Sequence, residues 1–173
     1  MAKNDVIVAG EPAFGYPGDT SFIVASGTTA SINVGEFVLS LAGGSQGLGA
    51  VQTAAAWTNS SSLPAVGTNY VLGVATSASN ETASVAGTVK VQKFVTGMSY
   101  LVNPDVAATW NTQAKYDALV GSRVLLKSAG SGGAQTLLAA DSANNGFVVL
   151  PMDITTNPGK VLVTLRNGLN YLT

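Results

Sequence analysis

Over residues 87–93, Gly-Thr-Val-Lys-Val-Gln-Lys, small or apolar side chains alternate with polar ones at period two, the pattern of a strand with one face buried. Val89 and Val91 are expected to face a core, with Thr88, Lys90 and Gln92 outward. Residues 160–166 form a second such run, rich in β-branched side chains that fit a pleated, half-buried surface. It leads into Asn167-Gly168, after which Leu169-Asn170-Tyr171-Leu172 resumes the alternation. A type I′ turn needs positive φ at both central residues, so Asn-Gly between two such runs predicts a C-terminal β-hairpin. Upstream, 123–127, 135–139 and 147–150 are apolar runs separated by Gly-, Ser- and Asn-rich loops. They predict three strands in an antiparallel meander.

The first half also reads as short strands, over 22–25, 30–34, 37–41 and 69–76. Between them, 42–63 is low in complexity, with Gly43, Gly44, Gly47 and Gly49, then Ala54-Ala55-Ala56 and Ser60-Ser61-Ser62. A loop of that length inside a compact domain is unusual and tends to carry function. One short helix is expected over about 112–120. Asn111 or Thr112 can cap its start, and Gly121 stands where a helix takes a left-handed C-terminal residue. Trp110, Ala114 and Leu119 would line its packed face, laid across one end of a sheet. No period of 20–50 residues repeats along the chain. The expectation is an all-β fold, an antiparallel β-barrel or sandwich with that helix and the C-terminal hairpin. It forms a single domain over 1–173, with an extended N-terminal arm (1–18) and the long loop 42–63.

Composition sharpens this picture. Apolar residues make up 46% of the chain and charged ones 10%, against about 25% charged in an average soluble domain. From Phe37 to Asn80 there is no charged side chain, and the chain has no histidine or cysteine. Basic residues are scattered, with Lys90 and Lys93 the nearest thing to a patch. Nucleic-acid binding needs several phosphates neutralised together, so no nucleic-acid partner is expected. No apolar run approaches the ~18 residues that cross a bilayer, so no membrane partner is expected either. Residues 1–10 hold one lysine and no long apolar stretch, so no signal peptide is expected and synthesis is placed in a cytoplasm. The sequon matches at Asn59 and Asn80 are therefore read as chance.

Candidate chemistry is sparse. Gly44-x-x-Gly47-x-Gly49 lacks the lysine and Ser/Thr of a phosphate-binding loop. Residues 141–146, Asp-Ser-Ala-Asn-Asn-Gly, offer one carboxylate where a calcium loop needs several. Glu11, Asp19, Glu36, Glu81, Asp105, Asp117, Asp141 and Asp153 stand apart, leaving no paired-carboxylate signature. A serine nucleophile would have no histidine to activate it. Neither an enzyme nor a cofactor or metal is expected. Trp57 stands out because its neighbours are small and polar; an exposed tryptophan there would anchor a protein–protein contact.

Several stretches carry a family resemblance: Met1-Ala2-Lys3-Asn4, Val71-Leu72-Gly73-Val74-Ala75-Thr76 with Gly87-Thr88-Val89-Lys90-Val91, Asn103-Pro104, 110–116 and 158–171. Together they resemble bacteriophage head decoration (cement) proteins. The resemblance implies a β-rich, often trimeric protein that binds the outer capsid surface and reinforces it against internal DNA pressure. It carries over no catalytic residue. The expected partners are the major capsid protein and further copies of the chain, with a trimer favoured, on the capsid surface of a virion. The expected contact residues are Gly43, Gly44, Leu48, Trp57 and Leu63, together with the N-terminal arm. The alternatives are a tail-tube or tail-fibre component, and a carbohydrate-binding module stacking sugars on Trp57 or Trp110.

Overall fold

The computed structural model describes residues 7–8, 18–24, 32–41, 50–53, 69–94, 97–128, 135–138 and 146–165. They form β1 (Ile7–Val8), β2 (Thr20–Val24), β3 (Phe37–Leu41), β4 (Ala50–Thr53), β5 (Asn69–Ala75) and β6 (Gly87–Lys93). There follow β7 (Ser99–Val102), a 3-10 turn (Ala107–Thr109), α1 (Gln113–Asp117), β8 (Arg123–Ser128), β9 (Gln135–Leu138), β10 (Phe147–Val149) and β11 (Val161–Leu165). The fold is all-β. Val89 and Val91 are buried while Thr88 and Lys90 are exposed, as the alternation requires.

The first lobe is a closed barrel in the order β2-β4-β3-β5-β6. Only the β2–β4 pair is parallel. The second lobe is a sheet in the order β1-β7-β11-β10-β8-β9. It curls until β9 meets the residues just after β7, through a parallel bridge between Pro104 and Leu137. There the Leu137 amide donates to the Asn103 carbonyl at 2.9 Å, and the Asp105 amide to the Leu137 carbonyl at 2.8 Å. β1 covers the earlier part of the same β7 edge, Ile7 opposite Leu101 and Val8 opposite Tyr100.

The two lobes are wired identically. In each, the first strand runs parallel to the third, the second pairs with the third and fourth, the fourth with the fifth, and the fifth with the first. The registers agree residue for residue. Val38 faces Gly73 as Val124 faces Phe147, Gly73 faces Lys93 as Phe147 faces Leu165, and Thr20 faces Val91 as Tyr100 faces Val163. Val51 is matched to Leu137 by two independent routes, through Val24 and Pro104 and through Ser40 and Leu126. Even the turns entering the second strand coincide. Gly35 (φ 79°) donates its amide to the Ala75 carbonyl at 2.8 Å, and Gly121 (φ 83°) donates to Val149 at 2.9 Å. Ala75 and Val149 return bonds to Glu36 and Ser122 at 2.8 and 3.0 Å. The left-handed backbone at both corners is one that only glycine adopts without strain.

Each lobe has a core. Val24, Ile32, Val38, Leu72, Ala75, Val89 and Val91 fill the barrel. The second lobe's core takes in three residues of the first: Phe37, Val74 and Phe94. Successive strand residues point to opposite faces, so Val38 enters the barrel while Phe37 leaves it. β5 changes face through a bulge. Its register jumps from Gly73 opposite Val38 to Val71 opposite Leu39, leaving Leu72 as the extra residue. The seam is aromatic, with Phe37 centred 5.0 Å from Phe147, 5.6 Å from Tyr100 and 5.7 Å from Phe94.

Several expectations are corrected. The described part of 30–34 is no strand; Ile32 is buried and leads into the turn at Val34-Gly35, its amide donating to Ser79 Oγ at 2.8 Å. The stretch 42–63 is not a continuous loop, because β4 lies within it. The meander is absent because β10 pairs with β8 and β11 and not with β9. The helix is shorter than expected, and Tyr116 is its buried residue, whereas Ala114 is exposed. The C-terminal hairpin lies outside the described residues.

A helix of five residues is too short to hold itself. Thr112 caps α1, its hydroxyl accepting from the Lys115 amide at 3.4 Å. The Tyr116 hydroxyl pins it more firmly, donating to the Leu150 carbonyl at 2.9 Å and accepting from the Leu162 amide at 3.0 Å. Tyr116→Phe leaves both backbone groups without that partner and is expected to cost about 1–3 kcal/mol. Burial pushes the Tyr116 hydroxyl above its ordinary value of 10.0; the bond from Leu162 opposes this and the Asp117 charge adds to it. The folded state thus holds this proton more tightly than the unfolded chain. The stabilisation is complete below the ordinary value and is lost as pH rises through the raised one. Urea unfolding of both proteins, at neutral pH and above pH 10.0, should show a smaller alkaline loss in Tyr116→Phe.

Candidate functional site

Strand composition is the first guide to a contact surface. Four of the barrel's five strands, β2, β4, β3 and β5, carry no charged residue, and they are consecutive around the ring. The fifth, β6, carries Lys90 and Lys93, and Lys93 Nζ sits 5.4 Å from the centre of the Phe22 ring. In the second lobe the strand charges are confined to β8, as Arg123 and Lys127. The described carboxylates, Asp19, Glu36, Glu81, Asp105, Asp117 and Asp153, all stand outside strands. The uncharged window of the sequence therefore maps onto three adjacent strands of one wall, β4-β3-β5.

The expected contact residues are carried by the connections of this same wall. Gly43, Gly44 and Leu48 fall between β3 and β4, and Trp57 and Leu63 between β4 and β5. All five lie outside the described residues, as does most of the N-terminal arm. Of the described part of the arm, Ile7–Val8 pairs with β7 of its own chain and Gly18 leads toward β2. Topology also limits how the wall can be used. β3, β4 and β5 each have hydrogen-bonded neighbours on both sides, so these strands offer no free edge for strand addition. Contact there must go through side chains and connecting segments.

A second feature lies in the second lobe. An open groove of about 820 Å³ runs between α1 and the loop before β11, lined by Gln113, Asp117, Pro151, Met152, Asp153, Ile154 and Thr155. Its polar groups satisfy one another. Gln113 Nε2 donates to Asp117 Oδ1 at 2.7 Å and to the Met152 carbonyl at 3.0 Å, and the Ile154 amide donates to Gln113 Oε1 at 3.1 Å. The Thr155 hydroxyl and amide both donate to Asp153 Oδ1, at 2.7 and 2.9 Å, and hold its carboxyl below the usual range. These bonds fasten the loop to the helix and leave no convergent set of donors for a ligand. Among the described residues no group of three or more His, Cys, Asp or Glu side chains comes together to hold a metal. No described helix is long and apolar enough to cross a membrane.

Sequence reading passed over one pair of surface positions. Val34 and Val120 immediately precede the matched corner glycines, and they are 55% and 37% exposed. Val-Gly-x-x-Val-Leu occurs in the sequence at 34–39 and again at 120–125, which is the signal that would have found them. Compared with protein-family models, with curated proteins and with solved structures, the chain gives no match in any of the three.

Proposed function

We propose that this protein is a structural component of a bacteriophage virion, seated on the outer surface of the capsid and stabilising it as a decoration protein. The observation that carries the reading is the barrel wall β4-β3-β5, three adjacent strands and their connections without a charged residue. A surface left in water gains solubility from interspersed charges; Phe37 and Val74 of this wall are covered by the second lobe, and a partner covering the connections would spare them charges in the same way. The charge-poor chain, the all-β architecture and the resemblance of 70–172 to decoration proteins support the same reading. A decoration protein is present in many symmetric copies, so modest contacts per copy add up.

Mass spectrometry of purified particles tests this. The chain is expected at a copy number near that of the major capsid protein, and its absence from particles would sink the reading. A reconstruction of those particles would place it on the head; density on the tail alone would transfer the role to a tail component.

A further inference from the structure

We infer that the chain is two copies of one barrel unit fused in tandem, and that its Val34-Gly35 and Val120-Gly121 corners are equivalent contact points for two neighbouring copies of one repeating subunit. The second half of this inference rests on the virion reading above.

The matched registers leave few identical residue pairs, and most of those whose side chains are described have a structural cause. Val38 with Val124, Val89 with Val161 and Val91 with Val163 are buried core pairs. Val74 lies in the aromatic seam and its match, Val148, is half-buried. Gly35 and Gly121 are fixed by their positive φ. Val34 and Val120 have no such cause. Both are exposed, on turns that would accept polar residues, yet both are valine. Each is held in the same orientation by the same bonds, Glu36 to Asn33 and Ser122 to Leu119 across the turn, at 3.2 and 3.0 Å. An isolated exposed valine is ordinary. The same one in both copies, on corners held by matched hydrogen bonds, marks the position proposed for contact.

The seam indicates how the partners are arranged. The barrel contributes Phe37, whose match in the second lobe is Arg123, and the second lobe contributes Tyr100 and Phe147, whose matches in the barrel are Thr20 and Gly73. The two units thus meet through different surfaces, a head-to-tail contact and not a two-fold one. Two matched anchors related in that way suit successive subunits around a symmetric ring, not the two sides of a dimer.

The test uses the full chain and particles purified without it, with retention measured by co-sedimentation. The variants are Val34→Asp, Val120→Asp and the double, with Val34→Ser and Val120→Ser as milder versions and circular dichroism to confirm folding. Val85→Asp is the control, since Val85 is 63% exposed but lies outside the matched positions. Bivalent attachment predicts that either single change lowers apparent affinity about 100-fold or more, that the double abolishes retention, and that Val85→Asp binds as the unaltered protein does. Singles that match the control, or a loss from only one of the two, would overturn the inference while leaving the virion reading intact. An unaltered chain that binds no particle would overturn both.

Discussion

Phe37→Ala is expected to lower the unfolding free energy by about 3–5 kcal/mol and to split a single thermal transition into two. Phe37 is fully buried and belongs by strand to the barrel, yet its ring packs in the core of the second lobe. Its contacts with Phe94, Tyr100 and Phe147 hold the seam together, and aromatic pairs of this kind add about 0.5–1.5 kcal/mol beyond the area they bury. Truncation leaves a cavity between the lobes that Tyr100 and Phe147 cannot close without leaving their own strands. Val91→Ala removes methyl groups from the barrel core alone, so it should lower the stability of one lobe and leave the coupling intact. Scanning calorimetry separates the two results. A Phe37→Ala protein that melts in one transition, with the midpoint of the unaltered chain, would show that the seam does not join the lobes.

Strand alternation was readable wherever both faces of a strand have a fixed fate. Val89 and Val91 point to a core and Thr88 and Lys90 to water, and the pattern at 87–93 says so directly. β4 was missed because four residues in a glycine- and alanine-rich stretch carry too little alternation to be distinguished from a loop. Their strand state comes from β2 and β3 on either side. Tyr116 was missed for a different reason. Its burial depends on backbone groups at Leu150 and Leu162, far along the chain, whereas the apolar pattern around it pointed to Leu119, which does pack against the core, and to Ala114, which is exposed.

The duplication was hidden by its connections. The connection between β2 and β3 has as its counterpart a longer segment that holds the 3-10 turn and α1. The distance along the chain between matched residues therefore changes from strand to strand, from Val24 to Pro104, Val38 to Val124 and Val91 to Val163. A fixed period cannot detect a repeat of that kind; the pairing register can. The contact residues around Trp57 rest on sequence alone, and what the fold adds to them is position, on the connections of an uncharged wall. That wall is also why the duplicated barrel need not be a duplicated function. The second lobe places Arg123 where the first has Phe37, so the two units differ at the positions that build the seam.

The same comparison accounts for the expected effect of Gly73→Ala, a loss of about 3 kcal/mol, the upper part of the overpacking range. A Cβ at Gly73 would stand 2.8 Å from the Gln92 carbonyl carbon and 2.8 Å from Val91 Cγ1, with the Gln92 oxygen nearer still. Two of these atoms are backbone of β6, which cannot retreat. β2 holds it from the other side through Thr20 opposite Val91 and Phe22 opposite Val89, and the ring is closed. The position is not inherently restricted to glycine, because its match in the second lobe is Phe147. The difference is the extra residue Leu72 beside Gly73 in β5, while the described part of β10 pairs without a register shift. Gly18→Ala is the control: a Cβ there meets nothing within 4 Å, so its effect should stay within about 0.5 kcal/mol. Urea unfolding of the two variants decides the matter. If Gly73→Ala unfolds at the same midpoint as Gly18→Ala, β5 and β6 do not approach as closely as the bulge requires, and the barrel is open at that pair. If it unfolds well below, the closure that leaves β3, β4 and β5 without a free edge holds in solution, and contact through that wall is left to side chains and connections.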